Sequence, residues 1–138
     1  LEEAYSFAFV RHPVRRAVSL FNYFRSLGAV PPNWSFESFL RYVERESPQI
    51  GGARVARFSQ AAPQSAWVAQ DKWSGFSEVF RVESIGHAER KLSKQLGFVV
   101  RFPHVNSSPG AGLQPSQSAL NIIHRLYRSD FDNFYPDG

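Results

Sequence analysis

The chain has 138 residues, 43% of them hydrophobic and 20% charged, which is enough for one domain folding around one core and argues against a disordered segment. Sixteen Lys and Arg against 12 Asp and Glu leave a net charge of +4, which suits a phosphorylated or acidic ligand but forms no dense basic run that would mark a nucleic-acid arm. Cysteine is absent, which excludes disulfides, thiolate metal ligands and cysteine nucleophiles and fits a reducing compartment; no apolar stretch approaches the roughly 20 residues needed to cross a bilayer, and no signal-peptide pattern is present.

Ser6 to Val10, Ser-Phe-Ala-Phe-Val, predicts a short strand buried on both faces. Arg11-His12-Pro13 follows at its C-terminal edge, and Pro13 stands where a helix can begin, since its missing N–H costs nothing in the first turn. Val14, Ala17, Val18, Phe21 and Phe24 recur at helical spacing and predict a helix over about 14 to 26, stopped by Gly28 and Pro31-Pro32. Ser35 is an N-cap for a second helix, with Phe36, Phe39, Leu40 and Val43 on one stripe and a break at Pro48 to Gly52. Residues 53 to 75 show no clean period, although Trp67 and Trp73 are expected to be buried. Glu78 to Val82 predicts a second short strand. Ser84 then caps a third helix, with Ile85, Ala88, Leu92 and Leu96 facing inward and Gly97 as terminator. Phe98 to Phe102 is a short strand or an extended loop. Residues 106 to 118 are a polar surface loop, and Leu120, Ile123, Leu126 and Tyr127 mark a last helix. The order strand, helix, helix, strand, helix predicts an α/β fold, most simply a parallel sheet with covering helices.

Chemistry concentrates in Phe7 to Phe21. A strand delivers Arg11 to the carboxyl edge of the sheet, where α/β proteins bind ligands. The helix that follows aims its free N–H groups and positive dipole end at the same place. Ser19 adds a hydroxyl, and Arg15 and Arg16 add charge nearby. Cation, hydroxyl and helix start together predict a phosphate site. Arg15 is expected to face solvent, and one of Arg15 and Arg16 to pair with a carboxylate.

This stretch resembles the sulfotransferase family, whose members carry Arg-x-Pro-x-x-Arg-x-x-Ser after a buried strand. Arg11, Pro13, Arg16 and Ser19 meet that pattern, with Phe21 where the family often has Tyr. Further segments are similar in order to the carbohydrate sulfotransferase branch: Ser35-Phe36-Glu37-Ser38-Phe39, Pro63-Gln64, Val82-Glu83, Leu96-Gly97, Pro103-His104-Val105-Asn106-Ser107-Ser108, and Leu126-Tyr127-Arg128-Ser129-Asp130-Phe131. His12 stands where the family more often has Asn or Asp, a position expected to tolerate change. The resemblance implies that Arg11 and Ser19 bind the 3′-phosphate of 3′-phosphoadenosine-5′-phosphosulfate (PAPS), and that Asn106, Ser107 and Ser108 wrap the donor. It implies transfer of a sulfuryl group to an acceptor hydroxyl or amine, with a carbohydrate acceptor and no metal, because fixed cationic donors can stabilise the transferred group.

The implied fold is a parallel sheet of the P-loop nucleotide-hydrolase type with flanking helices. It is incomplete here, because the family's first strand and 5′-phosphosulfate loop are not among residues 1–138. Methionine is absent and the chain starts Leu-Glu-Glu-Ala, so these residues read as a fragment whose N-terminus lies upstream; the resemblance implies that they form the C-terminal part of a single sulfotransferase domain, inactive alone. The sequence names no general base. Compartment stays open between cytoplasm, as for bacterial relatives, and Golgi lumen, as for animal ones. A P-loop kinase-like phosphotransferase and a truncated, non-catalytic binding module remain alternatives; the first would need a Gly-x-x-x-x-Gly-Lys-Ser/Thr loop and the second a continuous basic face. Glu83 is read as capping the next helix or pairing with Arg rather than as a buried acid. His104 and His124 are read as structural, and Tyr127, Asp130 and Phe131 as C-terminal packing and a helix stop.

Overall fold

The computed structural model describes residues 5–46, 59–68, 76–103 and 113–138. Strand β1 (Phe7–Val10) leads into helix α1 (Pro13–Ser26), then α2 (Phe36–Glu46). A 3-10 turn at Ser59–Ala61 precedes the single turn α3 (Ser65–Val68). Strand β2 (Glu78–Arg81), a second 3-10 turn (Val82–Ser84) and α4 (Ile85–Leu96) follow, and α5 (Gln117–Leu126) and α6 (Arg128–Phe134) close the order.

The two strands pair in parallel, Phe7 opposite Glu78 through Val10 opposite Arg81. Side chains alternate across this small sheet because a strand's period is two. Phe7, Phe9 and Phe80 pack with Phe102, Ala88 and Leu92 beneath α4. Val10 and Val79 join the larger core built with α1, α2, α5 and α6. Helices therefore cover both sheet faces, the layered α/β arrangement expected for parallel strands. Only Val10 of β1 is fully buried; the other three residues are half-exposed, less than the sequence predicts.

The amphipathic spacing of each helix explains what it buries. Ala17, Phe21 and Phe24 of α1 meet Phe36, Phe39, Leu40 and Val43 of α2, and the ring centroids of Phe21 and Phe39 are 5.4 Å apart. Ser35 marks the start of α2 as expected, its hydroxyl accepting from the Ser38 N–H at 3.1 Å. Ile122 and Ile123 of α5 complete this core. Gly97 ends α4 at φ +77°, a left-handed C-cap that donates to the Ser93 carbonyl.

Several sequence expectations change. Ser84 sits at the N-cap of α4, but its side chain makes no capping bond, because the 3-10 turn before it already bends the chain in. Leu96 is exposed, as the last residue of α4 immediately before its Gly97 cap. Phe98 to Phe102 is an extended loop tied to α4: the Val100 N–H donates to the Ser93 hydroxyl at 2.8 Å and the Phe102 N–H to the buried Glu89 at 2.8 Å. The last helix breaks at Tyr127 and resumes as α6, so Asp130 lies inside a helix and is no stop signal. Trp73, the Trp67 side chain and the break at 48–52 lie outside the described residues.

Candidate functional site

Parallel pairing brings both strand C-termini to one edge. Arg11 and His12 leave β1 there, and Glu83 leaves β2 there within its 3-10 turn. The two sides are tied across that edge. One Glu83 carboxyl oxygen accepts from the His12 N–H at 3.1 Å, and the other accepts a short bond from the Tyr135 hydroxyl. The same hydroxyl lies 3.3 Å from the Val10 carbonyl, and the Arg81 guanidinium sits 4.6 Å above the Tyr135 ring. Burial first, and then the Glu83 hydrogen bond, push the Tyr135 phenol well above the usual tyrosine range. Glu83 is thus neither a helix cap nor a buried acid. It is exposed and bridges strand, turn and C-terminal segment.

His12 is the N-cap of α1, its Nδ1 accepting from the Val14 N–H at 3.2 Å. Its ring packs edge-on against Phe131 and Tyr135 at 5.5 and 5.1 Å. An accepting nitrogen two atoms from Cβ does here what an Asn or Asp oxygen does at an N-cap, which gives the exchange at this position a physical basis. It also corrects one expectation: the Val14 donor is engaged by His12 and is not free for a ligand.

Arg11 is half-buried, and among the described residues its guanidinium forms no ion pair. Its backbone is held more firmly than that of a loop residue. The Gln64 side chain accepts from the Arg11 N–H at 2.9 Å and donates to the Arg11 carbonyl at 2.8 Å. Gln64 is itself anchored by Asp130, which is fully buried. One Asp130 oxygen accepts from the Gln64 N–H at 2.9 Å, and the other accepts from the N–H and hydroxyl of Ser65, each at 2.7 Å.

Ser19 lies six residues into α1 from Pro13, roughly 9 Å along the axis. It is half-buried, and no described residue hydrogen-bonds its hydroxyl. Arg11 and Ser19 do not bond to each other, so a ligand that engages both must span from the strand edge along the helix. Asn22, one turn beyond Ser19, has a buried amide nitrogen with no partner among the described residues. Arg15 is exposed, as its place opposite Ala17 and Phe21 requires. Among the described residues Arg16 pairs with no carboxylate: it donates to the Gln60 carbonyl and lies 5.6 Å over the Tyr127 ring. Burial lowers the Arg16 guanidinium from its ordinary value, while Tyr127 and Asp130 oppose that.

Asn106, Ser107, Ser108 and His104 lie outside the described residues. His124 is exposed and stacked on Phe131 at 4.3 Å, consistent with packing. A depression of about 300 Å³ opens between α2 and the end of α5, lined by Val43, Ala61, Pro63, Tyr127 and the Glu44–Arg125 ion pair; it includes neither Arg11 nor Ser19. His12, Gln64, Asp130 and Tyr135 are structural members of the site that sequence reading did not assign. Gln64 and Asp130 each carried a pattern signal, in Pro-Gln and Tyr-x-x-Asp-Phe, but their partners lie 53 and 66 residues away.

None of the described helices is long and apolar enough to cross a membrane. No curated protein and no solved structure matches the chain. The model of the sulfotransferase family matches residues 1–136. The Arg11-to-Ser19 pattern falls within that span, at the strand-to-helix edge the geometry had already singled out, and the chain belongs to the sulfotransferase family.

Proposed function

We propose that the protein transfers a sulfuryl group from PAPS to an acceptor hydroxyl or amine, with a carbohydrate as the acceptor class, and that its fold is of the P-loop nucleotide-hydrolase type. Family membership supports sulfuryl transfer in general. The observation that carries the donor assignment is Arg11, a half-buried cation at the carboxyl edge of a parallel sheet, immediately before a helix, with no described carboxylate on its guanidinium. Glu83, the acid at the same edge, has both oxygens engaged by His12 and Tyr135. A phosphate monoester fits such a residue set: a fork of guanidinium donors and, further along α1, the Ser19 hydroxyl. Asn106, Ser107 and Ser108 complete the proposed donor contacts.

In the reaction the acceptor oxygen or nitrogen forms a bond to sulfur as the bond between sulfur and the phosphate oxygen breaks. The products are a sulfated acceptor and 3′,5′-adenosine bisphosphate, and the acceptor proton passes to a base. Arg11 and Ser19 hold the end of the donor remote from this exchange. Their contribution is orientation of the sulfuryl group.

The test is selectivity for the 3′-phosphate. Isothermal titration of the full-length protein with 3′,5′-adenosine bisphosphate and with AMP should show tighter binding of the bisphosphate, by about tenfold or more for one charge-assisted contact. Equal affinities would remove the assignment of Arg11 and Ser19.

A further inference from the structure

The β1–β2 ladder ends at the pair Val10 and Arg81. Arg11 is the first residue beyond it, where a strand's N–H and carbonyl ordinarily lose their partners. The Gln64 side chain supplies both, at 2.9 and 2.8 Å, so a single amide stands in for the missing neighbouring strand. A side-chain amide has one acceptor and one donor group side by side, which is what the two backbone groups of one residue require. The amide is aimed by its own backbone: the Gln64 N–H is fixed on buried Asp130, beside Ser65, and Asn133 donates to the Ser65 hydroxyl at 3.2 Å. Three residues before Gln64 in the same segment, the Tyr127 hydroxyl holds the Ala61 carbonyl at 2.7 Å.

We propose that Gln64, held by Asp130, is the positioning residue of the donor site: it sets the backbone of Arg11 and thereby the direction from which the guanidinium meets the 3′-phosphate. This rests on the reading of Arg11 as the phosphate anchor. The arrangement serves that residue specifically, because the paired groups belong to Arg11 and to no neighbour. Guanidinium forks are directional, so a change of backbone angle at the root of the side chain displaces both donors together.

The test uses Gln64→Met, which keeps the length and shape of the side chain and removes both hydrogen bonds. Binding of 3′,5′-adenosine bisphosphate and of AMP is measured by titration in the full-length protein and in Gln64→Met, Arg11→Ala and the double variant, with folding checked by circular dichroism. The expected result is roughly fivefold or greater weakening of the bisphosphate with AMP changed by less than about twofold, so that the ratio between the two ligands falls. In the Arg11→Ala background Gln64→Met should add no further loss, since the group it positions is gone. A folded Gln64→Met that keeps the wild-type ratio overturns the positioning role and leaves the donor assignment intact. A wild type that binds both ligands equally overturns the donor assignment and this role with it. Should Gln64→Met not fold, Gln64→Asn serves instead: it keeps the amide but is one methylene short, and it must lower the same ratio for the role to stand.

Discussion

Arg11 and Arg15 lie four residues apart in one basic cluster, yet their surroundings assign them different work. Arg11 has its backbone clamped by Gln64 and a half-buried side chain, whereas Arg15 is exposed on α1. An exposed charge contributes little to a bound anion through solvent. Arg11→Ala is therefore expected to weaken 3′,5′-adenosine bisphosphate by about tenfold or more, Ser19→Ala by less, and Arg15→Ala hardly at all. Titration of the three folded variants gives the ranking, and a larger loss for Arg15→Ala than for Arg11→Ala would place the phosphate elsewhere on the helix. Arg16, the other member of the cluster, is held by the Gln60 carbonyl and the Tyr127 ring, so its part is to fasten the 60–65 segment to α1.

At the scale of the element, what was legible in the sequence was what short-range physics decides. The apolar stripes of α1 and α2, the Pro13 start and the Gly97 stop are local patterns, and the structure follows them. Gly97 yields a direct test. Its φ of +77° is costly for a residue with Cβ, although the space around it is open, so Gly97→Ala should destabilise by about 1 kcal/mol through backbone strain alone. Chemical denaturation measures it; an unchanged midpoint would mean that the α4 terminus relaxes to another cap. Elements set by distant partners were not legible. The idle Ser84 cap follows from a 3-10 turn that local propensity does not mark, and the break at Tyr127 accompanies a bond to Ala61, 66 residues earlier. The site divides in the same way. Arg11 and Ser19 lie in one contiguous stretch and could be nominated as candidates from it, whereas Gln64 and Asp130 owe their places to pairings between separate parts of the chain.

Across the whole molecule, tyrosines join the C-terminal helices to the sheet edge and to the segment that carries Gln64. Burial pushes Tyr127 up to about 12 from its ordinary 10.0, with Arg16 opposing and Asp130 adding. A folded-state value above the unfolded one means that the unfolded chain ionises first as pH rises. This contribution is therefore complete below about pH 10 and is lost as pH climbs towards 12, amounting to roughly 2–3 kcal/mol. Tyr135 is shifted in the same direction and steepens the alkaline loss. Denaturation midpoints taken between pH 8 and 11.5 should fall at the alkaline end. Tyr127→Phe should flatten that fall while lowering neutral stability by about 1 kcal/mol for the lost bond to Ala61. A wild-type midpoint that stays level across the range would contradict the burial on which this rests.

The tie from Tyr135 to Val10 spans 125 positions of the chain, and the Asp130 support of Gln64 closes a loop of 66. During synthesis the strand-to-helix edge around Arg11 leaves the ribosome well before Asp130 and Tyr135, the residues that brace it. A nascent chain halted before Asp130 can form α1 and α2 from local contacts, yet Gln64 has no buried acid to aim it and Glu83 has no Tyr135 to hold. The proposed anion site is therefore framed only when translation has passed α6 and Tyr135, and a chain terminated before them would keep its Arg11 without that frame.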